Sequence, residues 1–129
     1  MNEPLTITIY GEPRSKKNSC QIVNIGGKPR LIQSKNYRDY EKDACWQISE
    51  LHITDHIDCL SNVKYTFYRS SKRRVDLSNL IAAADDILVK AGILEDDNWK
   101  IVGGHDGSRI RFDPAAPRTE ITITEMEDV

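Results

Sequence analysis

The sequence predicts an α+β fold: a single small domain over residues 1–129, with a mixed β-sheet and two main helices. Three observations predict it. Leu5–Tyr10 (LTITIY) and Thr119–Thr124 (TEITIT) alternate along the chain as half-buried strands do. Two longer stretches, starting near Lys35 and Ser78, carry apolar residues at spacings of three and four, the mark of amphipathic helices. A chain of 129 residues has the usual size of one domain and can bury a core without disulfides or a structural metal.

Element by element, Leu5–Tyr10 is a strand stopped by Gly11 and Pro13, and a basic turn, Arg14–Asn18, follows. Gln21–Ile25 and Arg30–Gln33 flank Gly26-Gly27 and form a β-hairpin. Ser34 caps a helix of about Lys35–Leu51, with Tyr37, Tyr40, Ala44, Ile48 and Leu51 on one face. Val63, Tyr65 and Phe67 alternate in a strand that runs into the basic stretch Arg69–Arg74. The second helix, about Ser78–Lys90, has an apolar stripe of Leu80, Ile81, Ala84, Ile87, Leu88 and Ala91, and Gly92 stands at its C-terminal cap. Trp99–Val102 and Arg109–Phe112 are strand segments around the glycine-rich Gly103–Ser108, and Thr119–Thr124 is the last strand. A helix between two strands at 62–102 is long enough to be a right-handed crossover.

No apolar run approaches the roughly 20 residues of a membrane span. The start, Met1–Pro4, lacks the basic and apolar regions of a signal peptide, so the expected location is cytoplasmic. Cys20, Cys45 and Cys59 are odd in number, widely spaced and without a C-x-x-C pair, which fits reduced, partly buried structural thiols. Net charge is only −2, but its distribution is uneven. Residues 1–74 carry 13 Lys and Arg against 8 Asp and Glu, and residues 75–129 carry 5 against 12. A basic half beside an acidic half suits a polyanion-binding surface around metal-binding carboxylates, and equally a mixed solvated surface.

The stretch Arg73–Asp97 (RRVDLSNLIAAADDILVKAGILEDD) carries the chemistry. Asp76 stands where a strand passes into a helix, and Asp96-Asp97 stand just beyond the same helix. The crossover is expected to bring them to one end of the sheet, where gathered carboxylates bind Mg²⁺. Such an ion can polarise a scissile phosphate and activate water, while Arg69, Lys72, Arg73 and Arg74 hold the DNA backbone. A plainer reading stays open: Asp76 or Ser78 as a helix cap, and Asp96-Asp97 as a solvated turn.

These residues resemble the RusA-type Holliday-junction resolvases. That family carries a motif of the form R-D-x-D-N-L-x-K-x-x-x-D-x-L, then a glycine and an Asp-Asp pair. The chain reads Arg74-Val75-Asp76-Leu77-Ser78-Asn79-Leu80, then Asp86, Leu88, Gly92 and Asp96-Asp97. Its opening, Gly11-Glu12-Pro13-Arg14-Ser15-Lys16-Lys17-Asn18, resembles the family's G-x-P-x-x-K-K-N-like turn. The resemblance implies a Mg²⁺-dependent endonuclease, with Mn²⁺ as the alternative ion, that resolves four-way junctions and other branched DNA in recombination and repair. It implies a homodimer and a prophage-type role.

Carried over by position, Asp76, Asp97 and Ser78 are the catalytic candidates. Asp76, Asp97 and Asp96 are the metal ligands, and Lys16, Lys17, Arg73 and Arg74 the DNA-binding residues. Two positions depart from the pattern: Ser78 stands for a carboxylate and Ala82 for a lysine. The alternative function is therefore a catalytically weak or inactive branched-DNA-binding protein of the same fold.

Other residues carry weaker signals. His52 and His56, at i, i+4, have zinc-ligand spacing but no ligand-rich partner, and suit solvated or half-buried histidines. His105 and Asp106 suit a plain flexible turn, with proximity to the metal site as the second reading. Trp46 and Trp99 are expected in the core.

Overall fold

The computed structural model describes residues 3–16 and 20–127. The strands are β1 (Leu5–Tyr10), β2 (Cys20–Ile25), β3 (Lys28–Gln33), β4 (Ser61–Arg69), β5 (Val102–Gly104), β6 (Arg109–Phe112) and β7 (Arg118–Glu125). The helices are α1 (Lys35–Glu50) and α2 (Leu77–Lys90). Each expected element is present except the strand expected at Trp99–Val102, of which only Val102 belongs to β5. The main sheet runs β1-β7-β4-β5, with β6 also on β4, while β2 and β3 pair only with each other.

Alternation fixes the register. Three rungs cross the sheet: Leu5, Ile123 and Val63; Ile7, Ile121 and Tyr65; Ile9, Thr119 and Phe67. A slip of one residue would turn every member of these rungs to the opposite face. All but the half-buried Leu5 are buried, and Ala44 and Ile48 of α1 pack into the same core as Leu80, Ala84, Ile87 and Leu88 of α2. The opposite face carries Thr6, Thr8, Lys64, Thr66, Thr122 and Thr124, none of them buried. The result is two layers, helices on one face of a mostly antiparallel sheet.

The helix ends follow the caps read from the sequence. The Ser34 hydroxyl accepts the Tyr37 N–H. At the end of α2, Gly92 takes φ +81°, its N–H reaches the Val89 carbonyl and the Ile93 N–H reaches Leu88. These paired bonds are a Schellman stop, which glycine adopts without a Cβ penalty. Helix α1 closes at Glu50, and His52 beyond it takes φ +52°. His52 and His56 therefore share no helical face, and His56 Nδ1 sits 2.8 Å from the Gly92 carbonyl.

Two expectations are corrected. Trp99–Ile101 is a turn, not a strand, because the Asn98 carbonyl accepts the N–H groups of both Ile101 and Val102. Trp46 and Trp99 are not core residues: they are 61% and 76% exposed, Trp46 on the outer side of α1 and Trp99 on that turn.

Strand β4 is parallel to both β5 and β6. Its first residues pair with β5 and its last four with β6, so β5 and β6 together make one interrupted edge strand. The interruption, residues 105–108, is pinned to β4. Asn62 Oδ1 accepts the Asp106 N–H, and Ser108 Oγ accepts the Tyr65 N–H.

Core and cap contributions separate by substitution. Leu88→Ala is expected to cost about 2–5 kcal/mol through lost burial and a residual cavity. Gly92→Ala, whose added Cβ meets no neighbour, should cost only about 1 kcal/mol through its left-handed backbone. Urea unfolding of both variants measures the difference, and equal losses would contradict it.

Candidate nucleic-acid interface and acidic centre

Strand β4 delivers a basic loop at its C-terminal end. Residues 69–75 fold over the turn after β1, and between them lies a cleft of about 520 Å³ lined by Glu12, Arg14, Arg69, Arg73, Arg74 and Val75, among others. Four arginines face one glutamate, which already engages the loop: Glu12 accepts the Ser70 N–H and lies 3.7 Å from Arg69 Nε. Arg69 also donates to the Arg73 carbonyl at 2.6 Å, fixing the loop's shape. On the loop's other side, a second hollow of about 320 Å³ is lined by Lys72, Arg73, Arg74 and Arg111 with Ile110 and Phe112. Arg73 and Arg74 are thus exposed between two concave surfaces, with side chains available to phosphate.

The next residue after Val75, Asp76, is the N-cap of α2. Its side chain caps no backbone N–H; it accepts instead from Asn79 Nδ2 at 3.2 Å. Asp76 and Ser78 are both exposed, as is Ala82 on the next turn. The cap reading accounts for the position of Asp76 but leaves its carboxylate largely uncommitted.

Asp96 and Asp97 follow α2. The Asp96 carboxylate accepts from the Asp97 N–H at 2.7 Å and from Asn98 Nδ2 at 3.0 Å, so it fastens its own turn. The Asp97 carboxyl is held above the usual range, by desolvation first, then by Asp96 and, at longer range, Asp85. Among the described residues no Lys, Arg or His pairs with Asp96 or Asp97.

Asp76 and Asp97 bracket the crossover helix in the chain. Asp76 lies past the last residue of β4, and Asp97 lies before the first residue of β5. The acid that Asp97 feels, Asp85, is about 13 Å along the α2 axis from Asp76. Among the described residues no three His, Cys, Asp or Glu side chains come together to hold a metal ion.

A group that sequence reasoning undervalued lies between them. Asp85, on the inner side of α2, is buried, 6% exposed. It accepts the Tyr65 hydroxyl at 2.6 Å and pairs with His105 Nε2 at 2.8 Å. The Tyr65 and His105 rings stack with centroids 6.0 Å apart. Burial first, then Asp85, pushes the Tyr65 phenol well above its ordinary value. The break between β5 and β6 delivers His105 to this spot, so residues 105–108 are an ordered insertion and not a plain flexible turn. A glycine-rich break within a strand was the available signal, since such bulges re-aim side chains.

Lys16 and Asp86 meet each other. Lys16 Nζ donates to Asp86, and Lys90 Nζ lies 3.2 Å from Asp86 and 2.9 Å from Glu41. Lys16 therefore ties the turn after β1 to α2, while Lys17 lies outside the described residues. Cys45 and Cys59 are free and half-buried, and burial pushes the Cys45 thiol up, as expected of an inert thiol.

The Asp86 pairing carries a pH signature. Burial works to raise this carboxyl, but hydrogen bonds from Lys16 and Lys90 outweigh it and leave it below its ordinary value. A depressed folded pKa stabilises fully above about pH 4, and the gain is lost as pH falls through the folded value. Wild type should therefore exceed Asp86→Asn in stability at neutral pH, and the gap should close on acidification. A gap constant through the acid range, followed by thermal unfolding, would exclude the ion pairs as its source.

Residues 10–124 match the family described as Endodeoxyribonuclease RusA. The chain is also 28% identical over 106 residues to the Crossover junction endodeoxyribonuclease RusA of Aquifex aeolicus (strain VF5), covering 76% of this chain and 82% of that protein. The match runs from the end of β1 to the last strand and takes in the arginine cleft, Asp76, α2 and Asp96-Asp97. The chain belongs to the RusA endodeoxyribonuclease family.

Proposed function

We propose that the protein is a divalent-cation-dependent endonuclease that cuts four-way junctions and related branched DNA, acting as a cytoplasmic homodimer in recombination and repair of a prophage type. The observation that carries this is the arginine-lined cleft opening beside Asp76 at the start of α2. Arg73 and Arg74 bind backbone phosphates and set the register of the duplex, as cationic side chains do without reading sequence.

The donor set suits a hard cation. Mg²⁺ takes oxygen ligands, keeps several waters and is held by one or two carboxylates plus substrate phosphate more often than by a full protein cage. Asp97 with Asp96 offers two anionic side chains without a counter-cation, and Asp76 with Ser78 offers a carboxylate and a hydroxyl. Mn²⁺ meets the same oxygen donors. When bound, the ion supplies a polarised phosphate and an activated water. The chain's own residues bind the strand at Arg73 and Arg74 and present the Asp76 carboxylate next to that loop. Two paired cuts need two such centres, which a two-fold dimer supplies.

Ser78 and Ala82 support a second reading, a protein of this fold that binds branched DNA and cuts it weakly or not at all. A synthetic four-way junction with Mg²⁺ or Mn²⁺ separates the two. Cleavage by wild type should fall on the order of a hundredfold or more in Asp76→Asn and Asp97→Asn, with binding retained. Cleavage seen only after Ser78→Asp would establish the second reading. No preference for junction over linear duplex, in binding or in cutting, would sink both.

A further inference from the structure

The β2–β3 hairpin stands apart from the rest of the fold. Its strands form a sheet of their own, and residues 24–30 are exposed throughout. Ile22 and Ile25 are 74% and 56% exposed. An isolated two-stranded hairpin is marginal in water unless it packs against something.

Charge says what it meets. Between Pro13 and Arg38 the chain has seven Lys and Arg and no Asp or Glu, in a protein whose net charge is −2. Within that stretch Lys16 is paired with Asp86 and Lys35 with Asp39. Lys28 and Arg30 make no ion pair with any described residue. In the hairpin register Lys28 opposes Ile25 and Arg30 opposes Val23, so both cations share one face with these apolar residues. A second copy is a poor occupant, because a two-fold contact would set this all-positive face against itself. A polyanion is a good one. Gly26 and Gly27, at φ +61° and +80°, make the tight turn that keeps the arm narrow. A two-stranded ribbon of this kind fits the major groove, roughly 12 Å wide. Ser15, in the wall of the arginine cleft, stands five residues before β2 begins.

We propose that the β2–β3 hairpin is a second DNA contact, an arm that lies along the duplex leading into the cleft. Lys28 and Arg30 bind phosphates, and Ile25, which opposes Lys28, packs against the groove. The proposal rests on the DNA-cutting function above and adds a surface that the cleft does not include.

The test is a fluorescence-anisotropy titration of a labelled four-way junction in EDTA, at several salt concentrations, with wild type and Lys28→Ala/Arg30→Ala. Two lost phosphate contacts should reduce the slope of log K against log salt by about 1.8. Raising salt from about 50 to about 200 mM should then cost the variant about tenfold less affinity than wild type. Its thermal midpoint should not change, and the charge-preserving Lys28→Arg/Arg30→Lys should bind as wild type. Wild-type affinity and slope in the alanine variant overturn the proposal and leave the cleft reading intact. So does an Ile22→Ser/Ile25→Ser variant that turns a dimer into a monomer while Lys28→Ala/Arg30→Ala binds normally. Absence of DNA binding by wild type itself fails both readings together.

Discussion

Strand β4 is the constraint on which the rest of the structure depends. It is hydrogen-bonded along both edges, antiparallel to β7 and parallel to β5 and β6. Parallel pairing obliges the chain to return the whole length of the strand before it can pair again. Helix α2, about 21 Å long, makes that return across the inner face. Asp76 sits where α2 begins, Asp85 past its midpoint, and Asp97 beyond its end. The arginine cleft belongs to the loop that feeds the helix, so it opens beside Asp76.

The same constraint explains the buried polar group. A carboxylate on the inner side of α2 faces an apolar sheet, and burying it unpaired would cost several kcal/mol. Asp85 is satisfied twice, by the Tyr65 hydroxyl from β4 and by His105 from the interrupted edge. The two donors come from different elements, so the network holds the interruption against α2 and fixes the height of β5 relative to β6. Charge is arranged at a larger scale as well. The adjacent acid, Asp86, turns the other way and pairs with Lys16 and Lys90.

Local features were legible in the sequence because their causes are local. Alternation in LTITIY and TEITIT, the Ser34 cap, the Gly26-Gly27 turn and the Gly92 stop each depend on a few neighbouring residues. What the sequence hid was pairing at a distance. A crossover was foreseeable, but which side chains it would set against one another was not. Tyr65, Asp85 and His105 lie on three separate elements, and no short-range pattern links them. The tryptophans were misplaced for another reason. Trp46 borders the apolar stripe of α1 but lies on its outer side, and Trp99 falls in a turn whose hydrogen bonds come from Asp96 and Asn98. Hydrophobicity alone assigns neither face nor turn.

For an endodeoxyribonuclease, a cleft of arginines at one end of a helix and paired acids past the other have a physical logic. Phosphate needs cations and a catalytic cation needs carboxylates, and the two sets placed in contact would neutralise each other. Lys16, Lys90, Glu41 and Asp86 are what such neutralisation looks like: a spent cluster that ties α1, α2 and the β1 turn together. Arg73, Arg74, Asp76 and Asp97 escape that fate. Asp76 is bonded only to Asn79 among the described side chains, and desolvation with the neighbouring acids Asp96 and Asp85 holds the Asp97 carboxyl up. Leaving those charges unpaired costs stability, and the three buried rungs on β1, β7 and β4 supply the apolar burial that offsets it. Ser78 alters this balance directly. One carboxylate fewer beside Asp76 lessens repulsion at the start of α2 and would weaken the pull of that end of the helix on a cation.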